Sequence, residues 1–74
     1  MKTLQVNLNS IERVKAFVQE SMKVSTDVTI TSLDGRYVID GKSIMGIFSL
    51  DLTKNVNISY EDSEVAFEKY LKSL

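Results

Sequence analysis

Ser43 is the residue of this 74-residue chain whose type and position best support a chemical role. It follows Lys42 and precedes a short apolar run, so we expect it to be the N-cap of a short helix. A phosphate on its hydroxyl would accept hydrogen bonds from the free N–H groups of the first helical turn, and Lys42 would add a positive charge nearby. The simpler interpretation of Ser43 is a plain N-cap, which contributes about 1 kcal/mol of stability.

Most other catalytic chemistries lack the residues that they need. The chain contains neither cysteine nor histidine, which excludes disulfides, thiol catalysis and phosphohistidine, and removes the commonest general base and zinc ligand. Residues 41–43, Gly-Lys-Ser, match the end of a P-loop, but the upstream glycine of that motif would fall on Arg36. The acidic residues within 61–64 suit the start of a helix without any ligand. We therefore predict no catalytic residues, no metal and no cofactor.

Charge and length narrow the function classes further. Nine basic and ten acidic residues give a net charge of -1, so the chain lacks the positive field that a nucleic-acid backbone requires. The apolar runs are a few residues long, which is too short for a membrane span or a signal peptide. We expect a single, monomeric, cytoplasmic domain over residues 1–74 that binds neither nucleic acid nor membrane.

Hydrophobic periodicity and turn residues predict elements in the order βαββαβα. The dipeptide Asp34-Gly35 predicts a hairpin, which makes at least one pair of strands antiparallel. Short strands interspersed with helices favour an α+β fold of two layers, with helices on one face of the sheet. The predicted strands are Thr3–Leu8, Val28–Thr31, Tyr37–Ile39 and Asn55–Tyr60; the predicted helices are Ile11–Lys23, a short helix from Ser43 to about Leu50, and one from Ser63 to the end.

The same periodicity divides each element into a buried and an exposed side. The first helix presents an apolar stripe of Ile11, Val14, Phe17, Val18 and Met22, and the last helix one of Ala66, Phe67, Tyr70, Leu71 and Leu74. The predicted core is Val14, Val18, Val28, Ile30, Val56, Ile58, Phe67 and Leu71. The outer sheet face is predicted to be polar, with Gln5, Asn7, Thr29, Thr31, Asn55 and Asn57.

The short helix after Ser43 has more apolar residues than one core contact can bury. At 100° per residue, Ile44, Ile47 and Phe48 share one side, whereas Met45 points elsewhere. We expect part of this apolar surface to be exposed and to contact a partner, a use to which methionine is well suited. The alternative is that a thin core satisfies all of these side chains.

Residues 42–50, Lys-Ser-Ile-Met-Gly-Ile-Phe-Ser-Leu, resemble the signature of HPr, the phosphocarrier of the bacterial sugar phosphotransferase system. Most positions of this run agree, and βαββαβα is also the HPr order. The resemblance implies an HPr-like open two-layer sandwich with a four-stranded antiparallel sheet. It also implies that Ser43 is the regulatory serine phosphorylated by HPr kinase, and that Lys42, Ile44, Met45 and Phe48 contact partners.

The other half of the family's site is missing from this sequence. The phosphocarrier histidine of HPr, which is followed by alanine, arginine and proline, falls on Ser10, with Ile11, Glu12 and Arg13 after it. A register shifted by one residue pairs Arg13 with the family's arginine but places Ile11 at the histidine. Neither register restores the phosphocarrier site. The hairpin around Leu33 to Arg36 is also slightly longer than in the family.

Loss of the histidine with retention of the serine resembles the catabolite-repression HPr homologues of Gram-positive bacteria, which are phosphorylated on serine and act as corepressors. The resemblance implies a regulatory protein-binding module whose partners are HPr kinase, a transcriptional regulator or phosphotransferase components. One alternative is a non-phosphorylated HPr-like scaffold that binds an unknown partner through Ile44, Met45 and Phe48. A small acylphosphatase-like hydrolase would need an arginine cradle, and neither Arg13 nor Arg36 lies in a glycine-rich loop.

Overall fold

A computed structural model describes residues 1–74, and its elements follow the predicted order βαββαβα. The strands are β1 (Lys2–Val6), β2 (Thr29–Ser32), β3 (Val38–Asp40) and β4 (Val56–Tyr60). The helices are α1 (Ile11–Met22), α2 (Ile44–Phe48) and α3 (Val65–Lys72). No helix combines the length and the apolar composition that crossing a membrane would require.

The elements are shorter than predicted where local hydrogen bonding changes. β1 ends at Val6, which pairs with Val56, the first residue of β4. The residues after Val6 therefore have no strand residue of β4 to pair with. α2 ends at Phe48, because the next two N–H groups bond three residues back in a tightened turn. α3 begins at Val65 rather than Ser63, since residues 61–65 form turns first.

The sheet has the strand order β1-β4-β2-β3, and all three strand pairs are antiparallel. The register places Ile58 of β4 between Leu4 and Ile30, which brings the inward-facing aliphatic residues into one row. The outward row contains the predicted polar side chains, and the Asn55 amide links Asn7 at 3.1 Å to Gln5 at 3.3 Å. The sheet confirms the predicted four-stranded antiparallel fold with polar residues on its outer face.

The core lies between the sheet and the helices and contains 13 hydrophobic residues. Seven of the eight predicted core residues belong to it, and Val18 is half-buried against it. Phe67 is central, since its ring lies 5.9 Å from that of Phe17 on α1 and 5.8 Å from that of Tyr60 on β4. These edge-to-face and tilted contacts join both long helices to the sheet.

Three residues of the predicted helix stripes are exposed. Ile11 and Met22 are 58% and 67% exposed, because they lie at the two ends of α1, beyond the turns that contact the sheet. Ala66 is exposed, since Phe67, one position further along the helix, is the residue of that turn that faces the core. The buried stripe of α1 is therefore the narrower set Val14, Phe17 and Ser21.

Candidate functional site

The turn that precedes α2 fixes the position of Ser43. The Asp40 carboxylate accepts a hydrogen bond from the Lys42 N–H at 2.9 Å, and the Asp40 carbonyl accepts one from the Ser43 N–H at 3.0 Å. Gly41 donates its N–H to the Val28 carbonyl at 2.7 Å. A Cβ at Gly41 would lie 2.6 Å from a Val28 methyl group, so only glycine allows this close approach of the turn to Val28, the residue before β2.

Ser43 is the N-cap of α2, as the sequence predicts. Its backbone is extended, and its Oγ accepts a hydrogen bond from the Gly46 N–H at 3.3 Å. The residue is partly exposed rather than buried. A Cβ at Gly46 would lie 2.7 Å from Ile39 Cγ2 and 3.2 Å from Ser43 Oγ. Glycine at this position therefore lets α2 pack on β3 and keeps the space beside the hydroxyl open.

Lys42 is held by a group that the sequence did not indicate. Its Nζ donates to the carbonyl oxygen of Val24 at 2.9 Å, in a partly buried position between α2 and the end of α1. From the sequence we expect this ammonium to meet a phosphate on Ser43 and a partner. The structure also gives it a role inside the fold, since this hydrogen bond joins two segments that are 18 residues apart.

The apolar residues of α2 divide into a buried and an exposed group. Ile47 is fully buried, and Ile44 is half-buried against the core. Met45 is 79% exposed and Phe48 is 42% exposed. Met45 is exposed, as the helical period predicts. Phe48 is more exposed than we expect from its position on the same side of the helix as the buried Ile47. We call Ile44, Met45 and Phe48 the α2 patch.

Ser10 lies at the N-cap of the other helix, α1. Its Oγ accepts a hydrogen bond from the Arg13 N–H at 3.1 Å, and Arg13 Nη1 donates to the Asn7 carbonyl at 2.9 Å. Ile11 and Glu12, the next residues after the cap, are both exposed. Arg13 is the residue that the shifted register aligns with the family's arginine. Its side chain thus helps to hold the connection between β1 and α1.

An ion cluster that the sequence did not indicate surrounds Glu68. This carboxylate accepts a hydrogen bond from the Tyr60 hydroxyl at 2.8 Å and pairs with Lys2 at 3.0 Å and Lys72 at 3.3 Å. The Tyr60 hydrogen bond, followed by that from Lys2, lowers the pKa of Glu68 to about 2. Burial, followed by the bond to Glu68, raises the pKa of Tyr60 to about 12.

Only the pairing of Glu68 with Lys72, one helical turn apart, has a local sequence signal. The cluster joins β1, β4 and α3 and includes none of the candidate site residues. No group of three or more carboxylate side chains converges in a way that could hold a metal ion.

Comparison with known proteins identifies the family. A family model described as "PTS HPr component phosphorylation site" matches residues 12–72, so the chain belongs to the HPr family of the phosphotransferase system. The matched region begins after Ser10, the position at which we expect the family's histidine. HPr proteins are phosphocarriers rather than enzymes, and they interact with other proteins of the phosphotransferase system.

Two solved structures share the fold and part of the sequence. HPr-C-His from Thermoanaerobacter tengcongensis matches with a TM-score of 0.78 and 27% identity, over 100% of this chain and 90% of that one. The phosphocarrier protein HPr from Bacillus anthracis str. Ames matches with a TM-score of 0.70 and 26% identity, over 99% and 95% of the two chains. A search of curated proteins found no significant match.

Proposed function

We propose that this chain is a cytoplasmic regulatory member of the HPr family that binds protein partners and is phosphorylated on Ser43. The observation that carries this proposal is the position of Ser43 at the N-cap of α2, beside Met45, which is 79% exposed. A modification at this cap lies at the edge of an apolar surface. It therefore changes what that surface binds without requiring a change in the fold.

Relay of phosphate through a histidine is not part of the proposal. The chain has no histidine, and phosphoryl transfer from enzyme I of the phosphotransferase system requires an imidazole nitrogen as nucleophile. Ser10 carries a hydroxyl at the N-cap of α1, but a serine phosphate ester is a poor donor to another histidine. The charge of Glu12 nearby would also oppose a phosphate at that position.

The local electrostatics favour Ser43 as an acceptor. The hydrogen bond from the Gly46 N–H to Ser43 Oγ is long, at 3.3 Å, so phosphorylation disturbs little that holds the helix. The phosphate adds a charge of about -1.5 to -2 beside free N–H groups of the first turn. A partner with a basic residue next to an apolar groove then gains a charge-assisted hydrogen bond, worth about 1.5–3 kcal/mol.

Incubation with HPr kinase and ATP, followed by mass measurement and site mapping, tests the proposal. We expect the mass gain of one phosphoryl group, mapped to Ser43 and absent from Ser43→Ala. Ser49→Ala is the matched control, because Ser49 lies at the other end of α2 and is exposed. Phosphate at another residue, or none at all, would exclude Ser43 as the acceptor.

The second candidate, a scaffold that binds a partner without phosphorylation, depends on the same α2 patch. The exposure of Met45 and Phe48 favours it independently of Ser43, since neither side chain needs a phosphate to make contact. One comparison of partner affinities distinguishes the two candidate functions. A partner whose affinity is the same before and after kinase treatment, but falls in Met45→Gln, supports the scaffold.

A further inference from the structure

A cavity of about 190 Å³ opens between the β2–β3 hairpin and the loop that joins α2 to β4. Val56, which is buried, and Leu50, which packs against the core, line it together with Leu33 and Tyr37. Leu33 and Tyr37 are 51% and 57% exposed. Four apolar side chains that converge on one opening form a site suited to another apolar side chain of leucine or phenylalanine size.

Hydrogen bonds within the turn restrain the hairpin side of this cavity. Asp34 Oδ1 accepts hydrogen bonds from Ser32 Oγ at 2.7 Å and from the Arg36 N–H at 3.0 Å. Gly35 adopts a φ of 76°, a conformation that favours glycine, and its N–H donates to the Ser32 carbonyl at 2.9 Å. Because these hydrogen bonds restrain the backbone of the turn, binding should cost less conformational entropy there than in an unrestrained loop.

The loop side is built in the same way around a second aspartate. Asp51 Oδ1 accepts hydrogen bonds from the Thr53 hydroxyl at 2.6 Å and the Thr53 N–H at 3.1 Å. The Asp51 carbonyl accepts one from the Lys54 N–H at 3.3 Å. Each wall is thus a turn organised by one carboxylate oxygen of an aspartate.

The rim of the cavity carries two carboxylates and one ammonium, so its charge is only partly compensated. Asp34 and Asp51 each use only Oδ1, so both Oδ2 atoms lack a protein partner. Lys54 also lines the cavity, and its positive charge acts on both carboxylates, although it forms no ion pair within 4 Å. The hydrogen bond from Ser32 lowers the pKa of Asp34, and that from Thr53 lowers the pKa of Asp51. Two carboxylates against one ammonium favour a cationic group at the opening.

We propose that this cavity binds an apolar side chain of a protein partner, with an adjacent lysine or arginine of that partner paired to Asp34 and Asp51. The apolar side chain occupies the space among Leu33, Tyr37 and Leu50, and the cation reaches the free Oδ2 atoms. The site is separate from Ser43 and does not depend on its phosphorylation.

Titration of the ¹⁵N-labelled chain with acetyl-Phe-Arg-amide, followed by NMR, tests the site. We expect saturable shifts at the amides of Leu33, Tyr37 and Lys54. Acetyl-Phe-Glu-amide and acetyl-Ala-Arg-amide, which lack the cation and the ring respectively, should bind more weakly. Shifts that lie elsewhere, or equal affinity for the Arg and Glu peptides, would overturn the proposal.

Charge-removing variants separate the rim from the fold. Asp34→Asn and Asp51→Asn keep an Oδ1 acceptor for the turn but remove the charge. Each variant should therefore lower the affinity for the Phe-Arg peptide about two- to fivefold. Asp27→Asn is the matched control, because Asp27 is exposed and makes no ion pair, and it should leave the affinity unchanged.

Two further measurements separate this site from Ser43 and from self-association of the chain. Ser43→Ala should bind the Phe-Arg peptide as the wild type does, so failure of this proposal and failure of the phosphorylation proposal are distinguishable. Dilution of the free chain should leave the Leu33 and Tyr37 amides unshifted. Concentration-dependent shifts at these amides would show that a second copy of the chain covers the cavity, and the proposal of a different protein partner would be wrong.

Discussion

The hydrogen bond from Lys42 provides the most direct test of how the segment before α2 is attached to α1. Its Nζ donates to the Val24 carbonyl at 2.9 Å, and Val24 is only 5% exposed. Lys42→Met keeps most of the aliphatic stem but removes the donor. A hydrogen bond to a charged group contributes about 1.5–3 kcal/mol, and the partial exposure of this one reduces the expected loss to about 1–2 kcal/mol.

Urea unfolding of the wild type and Lys42→Met measures this loss. In a domain of this size, each 1 kcal/mol lowers Tm by about 4–8 °C, so thermal unfolding gives an independent value. Lys15→Met is the matched control, because Lys15 is exposed on α1 and makes no ion pair; its effect should stay within about 0.5 kcal/mol. Equal stability of Lys42→Met and the wild type would refute the assignment of Lys42 to the fold.

Four further outcomes are expected. Ser43→Ala should lower the free energy of unfolding by about 1 kcal/mol or less in urea, the contribution of an N-cap; a loss well above this would mean that Ser43 holds more than α2. The pKa of Glu68 falls from 4.5 to about 2 on folding, so its stabilisation is present above pH 4.5 and is lost as the pH falls towards 2; acid unfolding of Glu68→Gln should show a shallower pH dependence in this window. Gly46→Ala should lose about 1–3 kcal/mol despite the higher helix propensity of alanine, because its Cβ meets Ile39 at 2.7 Å; a stabilised variant in thermal unfolding would contradict the contact. Met45→Gln should keep the wild-type urea midpoint within about 0.5 kcal/mol but slow phosphorylation by HPr kinase, and an unchanged rate would remove Met45 from the contact surface.

The sequence predicts the fold well because its signals are local. Alternation in β1 and β4, the Asp34-Gly35 turn and the N-cap at Ser43 each depend on residues within a few positions of one another. The exposure of Met45 follows from the helical period alone. The four-stranded antiparallel sheet, by contrast, is predicted only through the resemblance to HPr. The strand order β1-β4-β2-β3 is not predicted at all, since no local pattern states which strands are neighbours.

What the sequence missed depends on residues that are distant along the chain. Lys42 reaches Val24, and Glu68 meets Lys2 and Tyr60, only after the helices have packed on the sheet. Exposure at helix ends is a similar case. Ile11 fits the apolar stripe by spacing, but whether the sheet extends far enough to cover it is a property of the assembled fold.

The position of Lys42 also changes the physical account of a phosphate at Ser43. A lysine next to the acceptor serine suggests a direct counter-charge, and one of the three N–H donors of its ammonium already bonds to the Val24 carbonyl, which holds the ammonium towards the end of α1. The phosphate of the proposed switch is therefore bound first by the N–H groups of the first turn of α2, where Gly46 already donates to Ser43 Oγ. These donors neutralise little of a charge near -2, so most of it stays available beside Met45 and Phe48. A partner that supplies its own cation then distinguishes the phosphorylated form from the unmodified one, and this requirement makes the switch selective.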